Sequence, residues 1–327
     1  MTQVINAVLS WEFERFHTQF LATRTGGSRA GEVLTLLRAL VALTRVPRAT
    51  SVVAVVHLSQ GGSFVREGMA VLLCRARGMT VVAHLHGSSF DAFAARHPKL
   101  VGSILRRCHA IQALSESSAA TAAGLAQEAL VAVIPNAVPS RESDAKRKPL
   151  VVFGGAVVKR KGVDVLLEAW SRLPADHGWR LAIAGPIPDR EIVRGWSLPS
   201  VEYLGSLGHD DLMDLLGASS VAVLPSRDEA MPMFLLEAMS LGNAIVATRV
   251  GGVASLFSPK TVNYLIEPGD ASALSQKLEQ LLTNEAELMA MQRACSEFFQ
   301  ATYSAAVVNP KVEALWSDAM RGNPRSC

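Results

Sequence analysis

Two successive series of short apolar runs, with helix-like stretches between the runs, constrain this chain more than any other feature. SVVAVVH (51–57), MTVVAHLH (79–86), AIQALS (110–115) and VAVIPN (131–136) are continuous β-branched runs, each ended by a polar residue. Runs without polar alternation predict strands buried on both faces, as in a parallel sheet. FVREGMAVLLCRARG (64–78) reads as a helix between the first two. A second series follows: LVVFGGA (150–156), WRLAIAG (179–185), VEYLG (201–205), VAVLPS (221–226), NAIVAT (243–248) and VNYLIE (262–267). Helical segments separate these too, and the tail from about 271 to 320 reads as helices. Two βα series predict an α/β chain with two doubly wound domains.

RESDAKRKP (141–149), charged and closed by a proline, divides the two series and reads as an interdomain linker. A chain of 327 residues is long enough for two full cores. Charge splits along the same line. Residues 1–149 carry 17 Lys/Arg against 9 Asp/Glu, and residues 150–327 carry 15 against 20. A basic first half and an acidic second half suggest two bodies with different partners. The basic half suits an anionic lipid or a phosphorylated substrate, or is simply a solvated surface. It has no basic stripe interleaved with aromatics, so nucleic acid is not expected as a partner.

The four cysteines, Cys74, Cys108, Cys295 and Cys327, form no CxxC pair and no zinc spacing, which suits a reducing compartment. The N-terminus lacks the apolar core of a signal peptide, and the longest apolar runs fall far short of the ~20 residues that cross a bilayer. A cytoplasmic protein is expected, free or peripheral on a membrane face. The opening of the chain is unusual for a doubly wound domain. MTQVINAVLSWEFERF reads as a helix from Met1, and QFLAT (19–23) as the next strand. The usual first strand and its glycine turn are not seen. That strand is central in the usual order. Its loss predicts a gap in the sheet, with the true start upstream or a defective form.

RDEAMPMFLLEAM (227–239) carries the most chemistry. It follows strand VAVLPS, and in open α/β sheets ligands sit beyond the carboxyl ends of strands. Glu229 falls on that loop. Pro232 suits the first turn of a helix that runs through MFLLEAMSLG and stops at Gly242. The free N–H groups at the start of that helix favour a phosphate. Glu237, about one turn in, can accept a pair of hydroxyls such as those of a ribose, and Glu229 those of a sugar. In FGGAVVKRKGVD (153–164), Gly154 and Gly155 let the backbone approach a ligand. Lys161, before Gly162, can neutralise a diphosphate, or is one cation of a basic surface loop. The spacing is neither a Walker loop nor GxGxxG. In HLHGSSF (84–90), His84 and His86 share one face of a strand end. His84 reads as a core residue and His86, at the strand tip, as the crevice candidate. No third ligand lies at a recognisable metal spacing, so no metal is expected.

These residues together resemble the family-4 glycosyltransferases of the GT-B fold. Glu229 and Glu237 match that family's Glu-x7-Glu motif, with Pro225-Ser226 before it and Ala238-Met239 after. Lys161-Gly162, Ile134-Pro135-Asn136, Tyr203-Leu204-Gly205 and His86-Gly87 match in the same order. The resemblance covers nearly the whole chain apart from the first strand and glycine-rich loop. Gly61-Ser63-Phe64-Arg66, with His84-Leu85-His86-Gly87, resembles the branch that builds exopolysaccharides or lipid-linked oligosaccharides.

The resemblance implies two Rossmann-like domains facing a central cleft. Residues 1–148 would bind the acceptor and 149–305 the nucleotide-sugar, with a helix in 306–327 crossing back to the first domain. It implies a retaining hexosyltransferase that uses a UDP- or GDP-linked donor, a glycan or lipid-linked acceptor, and neither cofactor nor metal. Glu237 would hold the ribose, Glu229 would sit by the donor sugar, and His86 would lie beside the reacting sugar. Lys161, with Gly155, Arg160 and the backbone near Met233 and Phe234, would bind the diphosphate. Base recognition would fall to backbone near Gly185 and Gly205.

The chain departs from the family pattern at two places. Ala156 stands where an arginine is usual, five positions before Lys161. A charge-assisted hydrogen bond is worth ~1.5–3 kcal/mol, so its loss corresponds to about one to two decades in rate. Arg160 or Lys159 is the available substitute. Ala230 replaces the glycine that usually follows the first glutamate. The missing first strand and Ala156 favour the alternative, a non-catalytic or truncated GT-B relative that binds nucleotide-sugar without turnover. An epimerase on the same fold needs acid/base carboxylates in both domains, and the N-terminal half offers no convincing one.

Overall fold

The computed structural model of the chain describes residues 2–24, 28–47, 49–141, 145–174, 178–188, 190–193, 198 and 200–323. They form two units, one of residues 1–136 with 308–327 and one of residues 137–307. Residues 137–141 and 145–148, expected with the first domain, therefore fold with the second unit. The end of the expected linker is bound rather than free. Arg147 donates to the Ser219 and Leu241 carbonyls at 2.7 and 2.6 Å, and the Lys148 N–H donates to the Ala218 carbonyl at 2.9 Å. Residues 142–144 of that linker, and Cys327, lie outside the described residues. Cys74, Cys108 and Cys295 are buried free thiols.

In the first unit, helices α1 (Thr2–Leu9) and α2 (Arg29–Thr44) precede β1 (Val53–Leu58), α3 (Gly62–Ala76) and β2 (Thr80–Leu85). Then come α4 (Phe90–Arg96), α5 (Pro98–Leu105), β3 (Ala110–Ala113), α6 (Glu116–Leu125) and β4 (Leu130–Val133). All the pairings are parallel, in the order β1-β2-β3-β4. Every residue of β2 and β3 is buried, as their unbroken apolar runs require. Phe64 and Val71 of α3 pack with Leu58, Val81, Leu85 and Ile111 in the core.

Two expectations for the N-terminal segment are corrected. QFLAT forms no strand. Its Phe20 and Leu21 are exposed, and the segment is tied down instead by Thr23, whose hydroxyl donates to the buried Glu67 carboxylate at 2.8 Å. The described sheet also has no gap, because its strands follow one another in sequence order and β1 is simply an edge.

The second unit begins its sheet with β5 (Leu150–Gly154), α7 (Val163–Ser171), β6 (Arg180–Ala184) and β7 (Val201–Gly205). It continues with α8 (His209–Ala218), β8 (Val221–Leu224), α9 (Met233–Ser240), β9 (Ala244–Thr248) and the two-residue β10 (Leu265–Ile266). Strand order is β10-β9-β8-β5-β6-β7, all parallel. The winding therefore reverses between β5 and β8, a topological switch point of the kind that holds ligands. Helices α10 (Ala271–Thr283), α11 (Glu285–Thr302) and α12 (Ala305–Arg321) follow, and α12 belongs to the first unit from Val308 onward. There Trp316 packs on Phe13 and Phe16, with ring centroids 4.8 and 5.5 Å away. Among the described residues, no helix is long and apolar enough to cross a membrane.

Candidate functional site

Glycines shape the switch point of the second unit. β5 ends in Gly154, and a Cβ there would lie 2.3 Å from the ring of Phe234, which packs over it. Gly155 and Gly185 take φ values of +146° and +150°, and a Cβ on Gly185 would lie 1.9 Å from the Gly155 carbonyl oxygen. The carboxyl ends of β5 and β6 can lie this close only without side chains. A 3-10 turn at Lys159–Lys161 then runs into Gly162, which is left-handed at φ +72° and lies against the Pro225 carbonyl. That contact brings the β5 loop against the β8 loop.

The result is a compact ionic cluster. Lys161 Nζ lies 2.5 Å from Glu229 Oε1, and the Ser226 hydroxyl donates to the same oxygen at 2.8 Å. Arg160 reaches that oxygen at 3.9 Å and donates to the Asp228 carbonyl at 2.7 Å. Arg227 holds Asp164, at the start of α7, through two bonds of 2.7 Å, and its backbone N–H donates to the Arg160 carbonyl at 2.7 Å. Glu229 itself is buried. Its loop is gripped on the other side by Gly251 and Gly252, where Cβ atoms would meet the Glu229 and Ala230 carbonyls.

Pro232 caps α9, so the helix begins at Met233. All eight of its residues are buried. Its first N–H groups have no carbonyl of a preceding turn to reach, which leaves a positive end beside the ionic cluster. Glu237 is only 3% exposed, and its Oε2 has no partner. His209 Nδ1 lies 3.8 Å from its other oxygen. Burial pushes the Glu237 carboxyl up to about 7, against the pull of Arg141. A buried acceptor without a donor is costly, and marks a place where a ligand hydroxyl fits.

The structure thus places Gly155, Arg160, Lys161, Glu229, Met233, Phe234 and Glu237 on two neighbouring loops and one helix of the second unit. His86 belongs to the first unit, just past β2, where its N–H donates to the Leu58 carbonyl at 2.7 Å. Sequence spacing missed its partner. His57, on β1 and in register with His84, brings Nδ1 to 2.7 Å from His86 Nε2. No third ligand lies at a recognisable spacing in the sequence, yet strand pairing brings His57 beside the His84–His86 pair. The three ring centroids lie 3.9–5.1 Å apart. Burial holds the His57 ring neutral, down to about 4, and pushes His84 and His86 well below the usual range, reinforced by neighbouring imidazoles. His84 Nε2 is buried without a partner. Only strand pairing could have revealed the trio, because His57 sits 29 positions from His86.

Residues 148–284, most of the second unit, match the family model described as glycosyl transferases group 1. An uncharacterized glycosyltransferase of Methanocaldococcus jannaschii is 30% identical over 136 residues, which is 41% of this chain and 38% of that protein. Among solved structures, a sucrose-phosphate synthase from Thermosynechococcus elongatus superposes with a TM-score of 0.73 at 18% identity, covering 91% of this chain and 81% of its own. Anabaena HepE, solved with UDP and glucose, gives a TM-score of 0.69 at 15% identity, covering 89% and 83%. These likenesses show that the chain has the GT-B fold. The chain spans less than half the length of the first curated relatives it matches.

Proposed function

We propose that the chain is a retaining glycosyltransferase. It would move a sugar from a UDP- or GDP-sugar to a glycan or lipid-linked acceptor in the building of a cell-envelope polysaccharide. The observation that carries this reading is the juxtaposition, at the switch point, of the Lys161–Glu229 pair with the partnerless carboxylate of Glu237 on α9. In this reading the donor diphosphate takes Lys161 away from Glu229 and rests on the N–H groups at Met233 and Phe234. Glu229, released, accepts hydroxyls of the donor sugar, while Glu237 accepts the ribose hydroxyls. Lys161 and the helix end offset the charge that develops as the sugar–phosphate bond breaks, so the donor needs no metal. Arg160 supplies a second positive charge where Ala156 offers none. His86, in the first unit, would act beside the reacting sugar. The HepE structure, solved with UDP and glucose, supports a nucleotide-sugar as the ligand class.

A peripheral seat on the cytoplasmic face of an anionic membrane belongs to the same reading. Helix α2 exposes Val33, Leu34, Leu37 and Val41 on one face, with Arg38 and Arg45 among them. Apolar side chains rimmed by arginines fit the boundary between headgroups and acyl chains.

The test is donor consumption followed by NMR of the released or transferred sugar. Cleavage with retained anomeric configuration supports the reading. Nucleotide-sugar binding without cleavage, under any acceptor, favours the non-catalytic relative instead.

A further inference from the structure

We infer that His57, His84 and His86 form a binding site for a borderline divalent transition metal of the zinc type. The inference concerns the first unit alone and does not rest on the donor reading. One ligating nitrogen from each ring lies within 4.8 Å of the other two. Zinc–nitrogen bonds of ~2.0–2.1 Å in a tetrahedron put the nitrogens about 3.3 Å apart. The trio needs small ring rotations to reach that. The His57–His86 contact of 2.7 Å would open slightly, and the wider separations would close.

Two features separate this cluster from a chance grouping. The backbone is rigid where it matters. His57 and His84 are register partners on β1 and β2, and His86 follows two positions on, tied to Leu58 by its N–H. An imidazole on β1, one on β2 and one a single residue past the end of β2 therefore converge on short, backbone-tied segments. The second feature is the orphaned Nε2 of His84, a residue only 3% exposed. A buried ring nitrogen with no hydrogen-bond partner leaves a desolvation cost that bound metal would remove. Three imidazoles also form a donor set suited to zinc, copper or nickel rather than to calcium or magnesium, which take oxygen ligands. Three protein donors leave a fourth position for water or a substrate oxygen.

The experiment is a cobalt titration of the full chain, stripped with chelator and desalted, followed in the visible. The expected result is a tetrahedral cobalt band that saturates at one ion per chain and is displaced by zinc. His57→Gln and His84→Gln should each lose affinity by more than the ~10–100-fold typical of losing an outer partner. Both variants should keep a cooperative melt and the thermal shift on adding UDP, which reports the second unit. Absence of a saturating band in the wild-type chain overturns the inference, as does a band unchanged in both folded variants, which would mark a surface site. Either failure leaves the UDP response, and so the donor reading, untouched.

Discussion

Lys161 and Glu229 stand 68 positions apart in the chain, yet their side chains meet at 2.5 Å where β5 and β8 end. The pair joins the loops after two adjacent parallel strands, between which the winding of the sheet reverses. In the proposed reading, it holds the cation that would meet a diphosphate next to the carboxylate that would otherwise repel that ligand.

This pairing predicts a specific non-additivity. Lys161→Met leaves the buried Glu229 with Ser226 and a distant Arg160, and should lower both stability and donor affinity. Glu229→Gln on that background should restore stability, because no uncompensated charge remains. It should not restore donor binding, which stays down about 10–100-fold for loss of a charge-assisted bond. Urea midpoints and calorimetry on the two single variants and the double variant check this.

Glu237 predicts two opposite pH trends. Its folded pKa of about 7 lies above the ordinary value of 4.5, so the folded protein holds this proton longer than the unfolded chain. Stability should therefore fall as pH rises from about 4.5 to about 7 and then level off. Glu237→Gln removes that fall. It should stabilise the protein above neutral pH by a few kcal/mol, at most about 3, and change little near pH 5. Ribose hydroxyls donate to the ionised form, so UDP affinity should rise through about pH 7 in the wild type and lose that rise in the variant. Melting curves and UDP titrations across this range report the two trends separately.

Gly162 predicts a backbone lesion with a functional consequence. It is left-handed, and a Cβ would lie 1.9 Å from the Pro225 carbonyl oxygen. Gly162→Ala should cost more than the ~1–2 kcal/mol of the left-handed conformation alone, because the β8 loop must also move. Gly269 is left-handed too, at φ +87°, with nothing near its Cβ position, so Gly269→Ala should cost only the conformational part. Denaturant unfolding of the two variants gives the difference, and the Gly162 variant alone should lose UDP binding.

The exposed stripe on α2 predicts membrane binding. The wild-type chain should sediment with vesicles containing anionic lipid, less with neutral ones, and less as salt rises. Leu34→Glu with Leu37→Glu should weaken this by more than about tenfold, since each buried leucine contributes ~1.5–3 kcal/mol. Binding that ignores both the substitutions and the lipid charge would count against α2 as the contact.

Much of the second unit was legible because its signals are local. Buried parallel strands read as unbroken apolar runs, and a glutamate that follows a strand end and a glutamate one turn into the next helix are visible from spacing alone. What spacing does not carry is pairing. The Lys161–Glu229 contact and the His57–His84–His86 trio exist because distant segments become neighbours through strand order, which no local pattern encodes. The N-terminal segment misled for a different reason. QFLAT has the composition of a strand, yet forms no ladder, and its one anchoring residue, Thr23, bonds a side chain on α3. The exposed stripe of α2 was hidden as well, since a run rich in leucine and valine does not say which face the core will cover.

Calorimetric titration of UDP, GDP and ADP, each beside its sugar derivative and its parent nucleoside, tests the central claim most directly when run on wild type, Lys161→Met and Glu237→Gln. The account predicts that one nucleotide class binds saturably to the wild-type chain. It predicts that Lys161→Met weakens the diphosphate far more than the nucleoside, and that Glu237→Gln weakens both. Binding of equal strength to all three proteins, or to none, would contradict the assignment of the switch point as a nucleotide-sugar site.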